Sequence, residues 1–446
     1  MEEKVVQIVK ELHKPAGDAE RFSKQDLIRQ NRIEFVSRCH ETWKKLHENA
    51  VYEIITFDAF LQREKTNPTM PVVKEYGEYN RAVWRKVNDA IVWSVFGMQR
   101  HIVKRLCLYR KRSFLADSND VHAMSTVKVL NVDPMALALW NDATSCVDIG
   151  DVMYIKNGME PTPSFIELKE GLVNDAILEL LRNDSPETRA TFAQRYGPKG
   201  VAQLNRVVRQ SEVSQQALSL LQNERGTDPV TGRETQIIDT GVDDKRYDDV
   251  LNDMLKSALN GTGEIAESIE CLRIFINMNK DRQKALEWTA STLESQLGQP
   301  LRVTNNKFES DRIADLNDGL YLPMSLPLFL RHLDPQVIGA LTYGNLMGRV
   351  HLYFDWDGFA KIVQEEGGTF AWSSEKEARR MQAQDPRMRP LIIKGLVPMI
   401  IGERSKTLLS DPAMVEIFFD GVTPRSIARR FVEQTRKIDR GEVIPY

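Results

Sequence analysis

Residues 146–171 bring acidic residues and a lysine together in two short apolar stretches. Asp148 and Asp151 belong to the first stretch, at 146–155, and Glu167 and Lys169 belong to the second, at 164–169. Side chains alternate between the two faces of a strand, so Glu167 and Lys169 share one face. If the stretches pair as a hairpin, Asp151 lies across from that face. The sequence therefore predicts two carboxylates and one ammonium group at a common point.

This combination suits hydrolysis of a phosphodiester. Carboxylate oxygens are the ligands that Mg²⁺ or Mn²⁺ prefers, and a bound divalent ion acidifies water and neutralises phosphate oxygens. A neighbouring lysine can orient the water or offset negative charge in the transition state. The alternative is a hairpin whose exposed face carries the same residues as cross-strand ion pairs.

The elements around the hairpin are predicted from apolar periodicity. A helical pattern covers 75–109, with Val83, Val87 and Ile91 in one stripe and Gly97 as a break or close contact. Helices follow the hairpin, and residues 268–277 resemble one more strand. The predicted strands lie at 121–132, 135–140, 146–155, 164–169 and 268–277.

Asp151 followed by Ile166-Glu167-Leu168-Lys169 resembles the PD-(D/E)xK nuclease superfamily, with Gly150 in place of the usual proline. The resemblance covers residues 75–280. It implies an α/β (α+β) fold with a restriction-endonuclease-like αβββαβ core and says nothing about the two flanks. The apolar patterns predict a helical N-terminal region and a C-terminal α+β region there. The resemblance also implies a Mg²⁺- or Mn²⁺-dependent endonuclease acting on DNA in preference to RNA, and for a nuclease of this size we expect a role in anti-phage defence or mobile-element biology.

The resemblance also implies roles for single residues. Asp151 and Glu167 are expected to be metal ligands, with the backbone carbonyl of Leu168 completing the set, and Lys169 is expected to be the catalytic lysine. Asp148 is the alternative to Asp151, expected on the opposite strand face. Further candidates are an acid from the preceding helix and polar residues from the helix after the hairpin: Asp89 or Glu78, and Gln203 and Arg206.

The most basic part of the chain closely precedes the predicted strands and carries aromatic neighbours. It predicts phosphate contacts with a nucleic acid, although a solvated helix face followed by a turn fits the same composition. The candidate residues are Arg100, Lys104, Arg105, Arg110, Lys111 and Arg112.

Composition excludes several other classes of protein. The formal net charge is -3, so nucleic-acid binding requires a local basic patch. The four cysteines contain no CxxC and indicate buried thiols. The beginning of the sequence has no signal-peptide pattern, and no apolar run reaches the ~20 residues of a membrane helix. We therefore expect a cytoplasmic protein without membrane contact.

Three regions are expected along the chain: a helical region at 1–70, the nuclease-like domain at 71–285 and an α+β domain at 286–446. The flanking regions are candidates for contact with a protein partner or a second copy of the chain. A rival interpretation makes the whole chain a non-enzymatic interaction or assembly protein with an inactive nuclease-like fold. The near-neutral charge and the helical N-terminal region favour this rival.

Overall fold

The structure is a computed structural model. It describes the chain apart from residues 22–24, 67–70, 109–111, 116–119, 157–162, 169–170, 184, 230–231, 237–239, 280, 299–302, 305–306, 309–311, 385–390 and 443–446.

The described α-helices are α1 (Glu2–Arg21), α2 (Gln25–Thr66), α3 (Pro71–Val95), α4 (Arg100–Leu106), α5 (Asp120–Leu130), α6 (Leu172–Arg182), α7 (Pro186–Asn223), α8 (Asp248–Ser257), α9 (Arg282–Leu297), α10 (Pro335–Tyr343), α11 (Trp356–Glu365), α12 (Glu375–Gln384), α13 (Asp411–Phe418) and α14 (Pro424–Asp439).

The described strands are β1 (Ala136–Trp140), β2 (Val152–Lys156), β3 (Pro163–Ile166), β4 (Arg225–Thr227), β5 (Glu234–Gln236), β6 (Glu264–Ile269), β7 (Leu272–Asn277), β8 (Val303–Thr304), β9 (Lys307–Phe308), β10 (Ile313–Asp315), β11 (Val350–Phe354), β12 (Thr369–Ser374), β13 (Leu396–Ile401) and β14 (Lys406–Leu408).

Small antiparallel sheets are distributed among many helices, which confirms the α+β class. The chain forms two compact units. The central unit comprises Phe22–Asn88 and Val95–Ile237, and the C-terminal unit comprises Met1–Arg21, Asp89–Ser94 and Ile238–Tyr446. The three regions expected at 1–70, 71–285 and 286–446 stay a prediction.

The central unit is built on the antiparallel sheet β1-β2-β3. All five residues of β1 are buried, and α2 and α5 pack against it. His47 of α2 joins the helix to the end of this strand, because its Nε2 accepts a hydrogen bond of 3.0 Å from the Trp140 N–H. Its Nδ1 therefore carries the proton and donates to Asn88 Oδ1 at 2.9 Å. The buried imidazole fixes where β1 ends and the loop to β2 begins.

The strand predicted at 121–132 is wrong, because the segment forms helix α5. Its β-branched composition favours a strand, yet Ala123 and Val127 are buried four residues apart while Val121 and Val129 are exposed. Burial with a period of four is helical, and packing against β1 and β2 outweighs the strand propensity.

The long helical pattern at 75–109 is confirmed in part. It divides into α3 and α4, and the break falls at Gly97 and Met98, which both have positive φ angles (58° and 59°). Val83 and Val87 are fully buried on α3. The predicted glycine break is therefore a change of chain direction.

The segment 268–277 was expected to be one strand that closes the sheet of the hairpin, and this is wrong. It turns at Glu270 (φ 57°) and contributes to β6 and β7. Both strands belong to the sheet β10-β11-β7-β6 of the C-terminal unit. Leu272, Ile274 and Ile276 of β7 are fully buried, and the sheet gives this unit its core.

The C-terminal unit also contains a buried ion pair. The guanidinium of Arg331 lies 2.5 Å from Asp248 Oδ1, and both side chains are almost fully buried.

Among the described residues, no helix is both long enough and apolar enough to cross a membrane.

Candidate active site

The hairpin predicted from the sequence is present as the antiparallel pair β2–β3. Val152 pairs with Ile166 and Met153 pairs with Phe165. One step before Val152, the Asp151 N–H donates to the Ile166 carbonyl at 2.9 Å. Asp151 thus shares Ile166 with Val152, as in a β-bulge, and the regular pairing ends at Val152–Ile166. β3 ends at Ile166, so Glu167 lies just beyond the strand and not within a strand at 164–169 as predicted. Asp151 and Glu167 both adjoin the last pair of the hairpin.

Gly150 allows the chain to enter β2 at this point. Its φ of +65° lies in the left-handed region, and a Cβ there would come within 3.0 Å of Phe165 Cβ and 3.3 Å of the Ile166 carbonyl oxygen. A glycine therefore satisfies both the backbone angle and the close approach of β3. Because the chain turns here, β2 begins at Val152 and not at residue 146 as predicted.

A cavity of about 110 Å³ opens beside the hairpin. Four of its lining residues are acids, and a guanidinium, a hydroxyl and an amide complete its polar wall. The lining residues are Arg112, Ser113, Asp142, Asp148, Gly150, Asp151, Glu167 and Gln210. The two acids predicted as metal ligands and their alternative thus share one cavity.

Asp151 also shapes the end of β3. Its Oδ2 accepts a hydrogen bond of 2.5 Å from the Leu168 N–H. Its backbone carbonyl accepts from the Asn141 N–H at 2.9 Å. The side chain is thereby bound to the segment that carries Glu167, and the backbone is bound to the loop after β1.

Asp148 was expected on the opposite strand face from Asp151, and this is wrong because Asp148 precedes the strand. The chain turns at Gly150, so both acids line the same cavity. Asp148 Oδ2 accepts from the Leu108 N–H at 2.5 Å. Its Oδ1 lies 2.8 Å from Nη2 of Arg112, in an ion pair whose carboxylate is buried.

Arg112 connects the loops that border the cavity. Besides Asp148, its Nη2 donates to the Val147 carbonyl at 2.7 Å. Its Nη1 lies 3.5 Å from Asp142 Oδ1, whose side chain is 40% exposed. The Arg112 side chain is only 14% exposed, so its positive charge is held among acids at the wall of the cavity.

A second arginine, Arg85 of α3, holds the same loops from inside the unit. It donates to the carbonyls of Ser113 and Thr144, both at 3.1 Å, and to the Asp142 carbonyl. Burial, and then the charge of Arg112, lower the pKa of Arg85 to about 10. Arg85 therefore remains positively charged at neutral pH and can keep all three carbonyls in place.

Asp58 of α2 fixes the segment that follows Arg112. Its Oδ2 accepts from the Leu115 N–H at 2.6 Å, and its Oδ1 pairs with Arg81 Nη1 at 3.3 Å. Burial raises the pKa of Asp58, while the Leu115 hydrogen bond and the Arg81 charge oppose the rise. The cavity wall thus depends on polar side chains of two N-terminal helices.

The residues predicted from other helices lie elsewhere. Gln203 donates to Asn174 Oδ1 at 3.0 Å, and Arg206 is exposed on α7. The same helix contributes Gln210 to the cavity, two turns beyond Gln203. Sequence reasoning found the helix and its polar face but missed the residue, because the turn that reaches the cavity depends on the packing of α7.

The two candidate acids of α3 are not among the cavity residues. Glu78 is exposed and lies 3.9 Å from Lys74 one turn away. Asp89 is fully buried, in the segment that belongs to the C-terminal unit.

The basic stretch has several environments. Arg105 is buried and bound to Asp228 at 3.0 Å, so a structural role fits it better than a phosphate contact. Arg100 and Lys104 are half-buried on α4. Lys169, Arg110 and Lys111 lie outside the described residues.

Across the described ranges, no group of three or more His, Cys, Asp and Glu side chains has the arrangement of a metal site. The predicted ligand set differs from such a group, since it contains two carboxylates and one backbone carbonyl. Comparison with protein-family models, with curated proteins and with solved structures finds no match for this chain.

Proposed function

We propose that this protein is a Mg²⁺- or Mn²⁺-dependent nuclease that hydrolyses phosphodiester bonds in DNA in preference to RNA. The observation that carries the proposal is that Asp151 and Glu167, which adjoin the last pair of the β2–β3 hairpin, line one cavity. Asp151 is held there by its hydrogen bonds to the Ile166 carbonyl and the Leu168 N–H, so its carboxylate is preorganised.

The order of elements in the central unit supports the same proposal. A helix, three antiparallel strands and further helices follow one another as α3–α4, β1-β2-β3 and α6–α7, with α5 added before β1. This order agrees with the first five elements of an αβββαβ core. The last strand of such a core has no counterpart at 268–277.

The donor chemistry of the cavity fits a hard divalent cation. Its side-chain oxygen donors are carboxylates, the Ser113 hydroxyl and the amide of Gln210, and its lining includes neither the thiolate nor the imidazole that zinc prefers. Asp151, Glu167 and the Leu168 carbonyl would hold the ion. When bound, it would supply an acidified water and positive charge beside the phosphate.

The chain's own residues have separate tasks in this proposal. Asp151 keeps the Leu168 backbone in place through its 2.5 Å hydrogen bond and thereby positions the segment of Glu167. Lys169, the next residue after Leu168, would orient the attacking water. Gln210 offers an amide that can hold a water or a phosphate oxygen.

The test is a cleavage assay on linear DNA with Mg²⁺ or Mn²⁺. Glu167→Gln removes one charge at nearly constant shape, and we expect it to lower the rate at least about 100-fold, the usual effect of losing a group that stabilises charge in the transition state. Glu179→Gln, at an exposed position of α6, is the matched control and should cut like the wild type. Undiminished cutting by Glu167→Gln would remove the basis of the site assignment.

Lys169 is tested in the same way. Lys169→Ala should abolish most of the activity, whereas Lys156→Ala, at the exposed end of β2, should leave it unchanged. Equal activity of the two variants would show that the lysine of the motif has no catalytic role.

A non-enzymatic interaction protein with an inactive nuclease-like fold is the second candidate. The pairing of Asp148 with Arg112 favours it, because a guanidinium already neutralises one acid of the cavity. Calorimetric titration with Mn²⁺ separates the two candidates. The nuclease should bind Mn²⁺ through Glu167 and lose this binding in Glu167→Gln, whereas the interaction protein should show no binding that depends on Glu167.

A further inference from the structure

Arg112 is the cationic residue among the lining residues of an otherwise acidic cavity. A phosphodiester carries a negative charge, so the acids repel it unless a cation is close. An arginine fork matches the oxygens of a phosphate in charge and in geometry. Arg112 therefore has the chemistry that this cavity needs in addition to a metal ion.

The position of Arg112 is fixed by its contacts. Nη2 is held between Asp148 Oδ1 at 2.8 Å and the Val147 carbonyl at 2.7 Å. The residues that follow are anchored as well, because Arg85 binds the Ser113 carbonyl and Asp58 binds the Leu115 N–H. A guanidinium held in this way loses little further freedom when it binds a ligand.

Nη1 is the part of the guanidinium that can serve a ligand, because Nη2 is bound to Asp148 and Val147 and Nε is buried. Nη1 lies 3.5 Å from Asp142, at the outer limit of a hydrogen bond. Its N–H groups therefore remain for a phosphate oxygen.

We propose that Arg112 binds a backbone phosphate of the nucleic-acid substrate, and that Asp148 is the positioning residue of Arg112 and not a metal ligand. This inference rests on the proposed nuclease function. It divides the acids of the cavity into two sets: Asp151 and Glu167 hold the cation, and Asp148 holds the arginine.

The first experiment measures DNA binding without metal. The full-length protein is titrated into a short fluorescein-labelled DNA duplex in EDTA, and anisotropy gives Kd. Arg112→Gln should raise Kd about 10- to 100-fold, the range for a lost hydrogen bond to a charged group. Arg112→Lys should fall in between, since it keeps the charge and loses the fork. Arg225→Gln, which removes an exposed arginine of the same unit, should change Kd less than about threefold.

The second experiment separates positioning from metal binding. Asp148→Asn should raise Kd for DNA in EDTA and leave the calorimetric Mn²⁺ affinity within about threefold of the wild type, because a lost metal ligand would cost far more. Loss of Mn²⁺ binding in Asp148→Asn would make Asp148 a metal ligand and overturn the assignment. Equal DNA affinity of Arg112→Gln and wild type would overturn the role of Arg112.

Folding is controlled with the double variant Arg112→Gln/Asp148→Asn. It replaces the buried ion pair by two neutral amides, so neither partner is left as a buried charge. It should melt close to the wild type and still bind DNA as weakly as Arg112→Gln. A double variant with wild-type affinity for DNA would refute the inference.

Failure of the nuclease function gives a different pattern. A wild-type protein that binds DNA through Arg112 in EDTA and cuts nothing with Mn²⁺ would contradict the proposed function and support the inference. A wild-type protein without affinity for DNA in EDTA would contradict the inference whatever its activity.

Discussion

Gly150→Ala tests whether the entry into β2 determines the site. Gly150 precedes Asp151 and has a φ of +65°, and the new methyl group would lie 3.0 Å from Phe165 Cβ and 3.3 Å from the Ile166 carbonyl oxygen. Both neighbours belong to β3, the strand that leads into Glu167. The substitution therefore pushes directly on the strand that carries the second acid.

The cost has two components. An alanine in the left-handed region costs about 1–2 kcal/mol, and forcing a methyl group into a tight contact costs about 1–3 kcal/mol more. We therefore expect Gly150→Ala to lower the free energy of unfolding by about 2–5 kcal/mol. Gly232→Ala is the matched control, because Gly232 has nearly the same φ (+67°) with nothing within 4 Å of the new Cβ. It should show the backbone cost alone.

Urea denaturation of the full-length protein measures both variants, and the cleavage assay follows the consequence for the site. Gly150→Ala should unfold at a lower urea concentration than Gly232→Ala. It should also cut at least about 10-fold more slowly, since a small displacement of Glu167 from Asp151 spoils an aligned site. Gly232→Ala should cut normally. If both variants unfold at the same urea concentration and cut at the same rate, the close approach of β3 to Gly150 does not position the site.

Three further predictions concern other parts of the chain. Burial lowers the pKa of His47 from 6.5 to about 4, so the unfolded chain binds the proton first as the pH falls. The free energy of unfolding should therefore fall by about 3 kcal/mol from this residue between about pH 6.5 and about pH 4. An equally steep pH dependence of stability in His47→Gln would contradict this. Arg331→Met should lower the free energy of unfolding by about 3–5 kcal/mol, because buried Asp248 loses its partner at 2.5 Å and the next guanidinium, that of Arg246, lies 4.0 Å away. Near-wild-type urea unfolding would refute this. Gln210→Ala should slow cleavage about 10-fold through loss of a polar group in the cavity, whereas Gln203→Ala should not slow it. Slower cleavage by Gln203→Ala than by Gln210→Ala would favour Gln203, the residue predicted from the sequence, as the functional amide.

The part of the site that the sequence predicts correctly is the local part. The two predicted stretches do pair as a hairpin, and Asp151 and Glu167 both line the cavity beside it. The prediction that Asp151 lies directly across from Glu167 stays a prediction. A hairpin links residues that are close in sequence, so its pairing depends little on the rest of the fold. Gly150 was visible in the sequence as a departure from the family motif, but only its φ and its distance to Phe165 explain the glycine.

The contacts that the sequence missed are those made by tertiary packing. Arg112 was predicted as a phosphate contact, but its buried ion pair with Asp148 could not be inferred because the two are 36 positions apart. Helix α5 was predicted as a strand because its valines fit a strand as well as a helix, and only the buried face of the folded segment distinguishes the two. Polar contacts between distant elements leave no periodic signal in the sequence.

The N-terminal helix α2 is part of the scaffold of the cavity, because it supplies two buried polar anchors. Its His47 accepts the Trp140 N–H at the end of β1, and its Asp58 accepts the Leu115 N–H three residues after Arg112. Each anchor satisfies a buried backbone donor that would otherwise cost about 1–3 kcal/mol. A fragment that starts at residue 71 would contain the whole motif yet lack both anchors. The hairpin therefore carries the two acids of the motif, while α2 and Arg85 of α3 hold the segment of Arg112 at the wall of the same cavity.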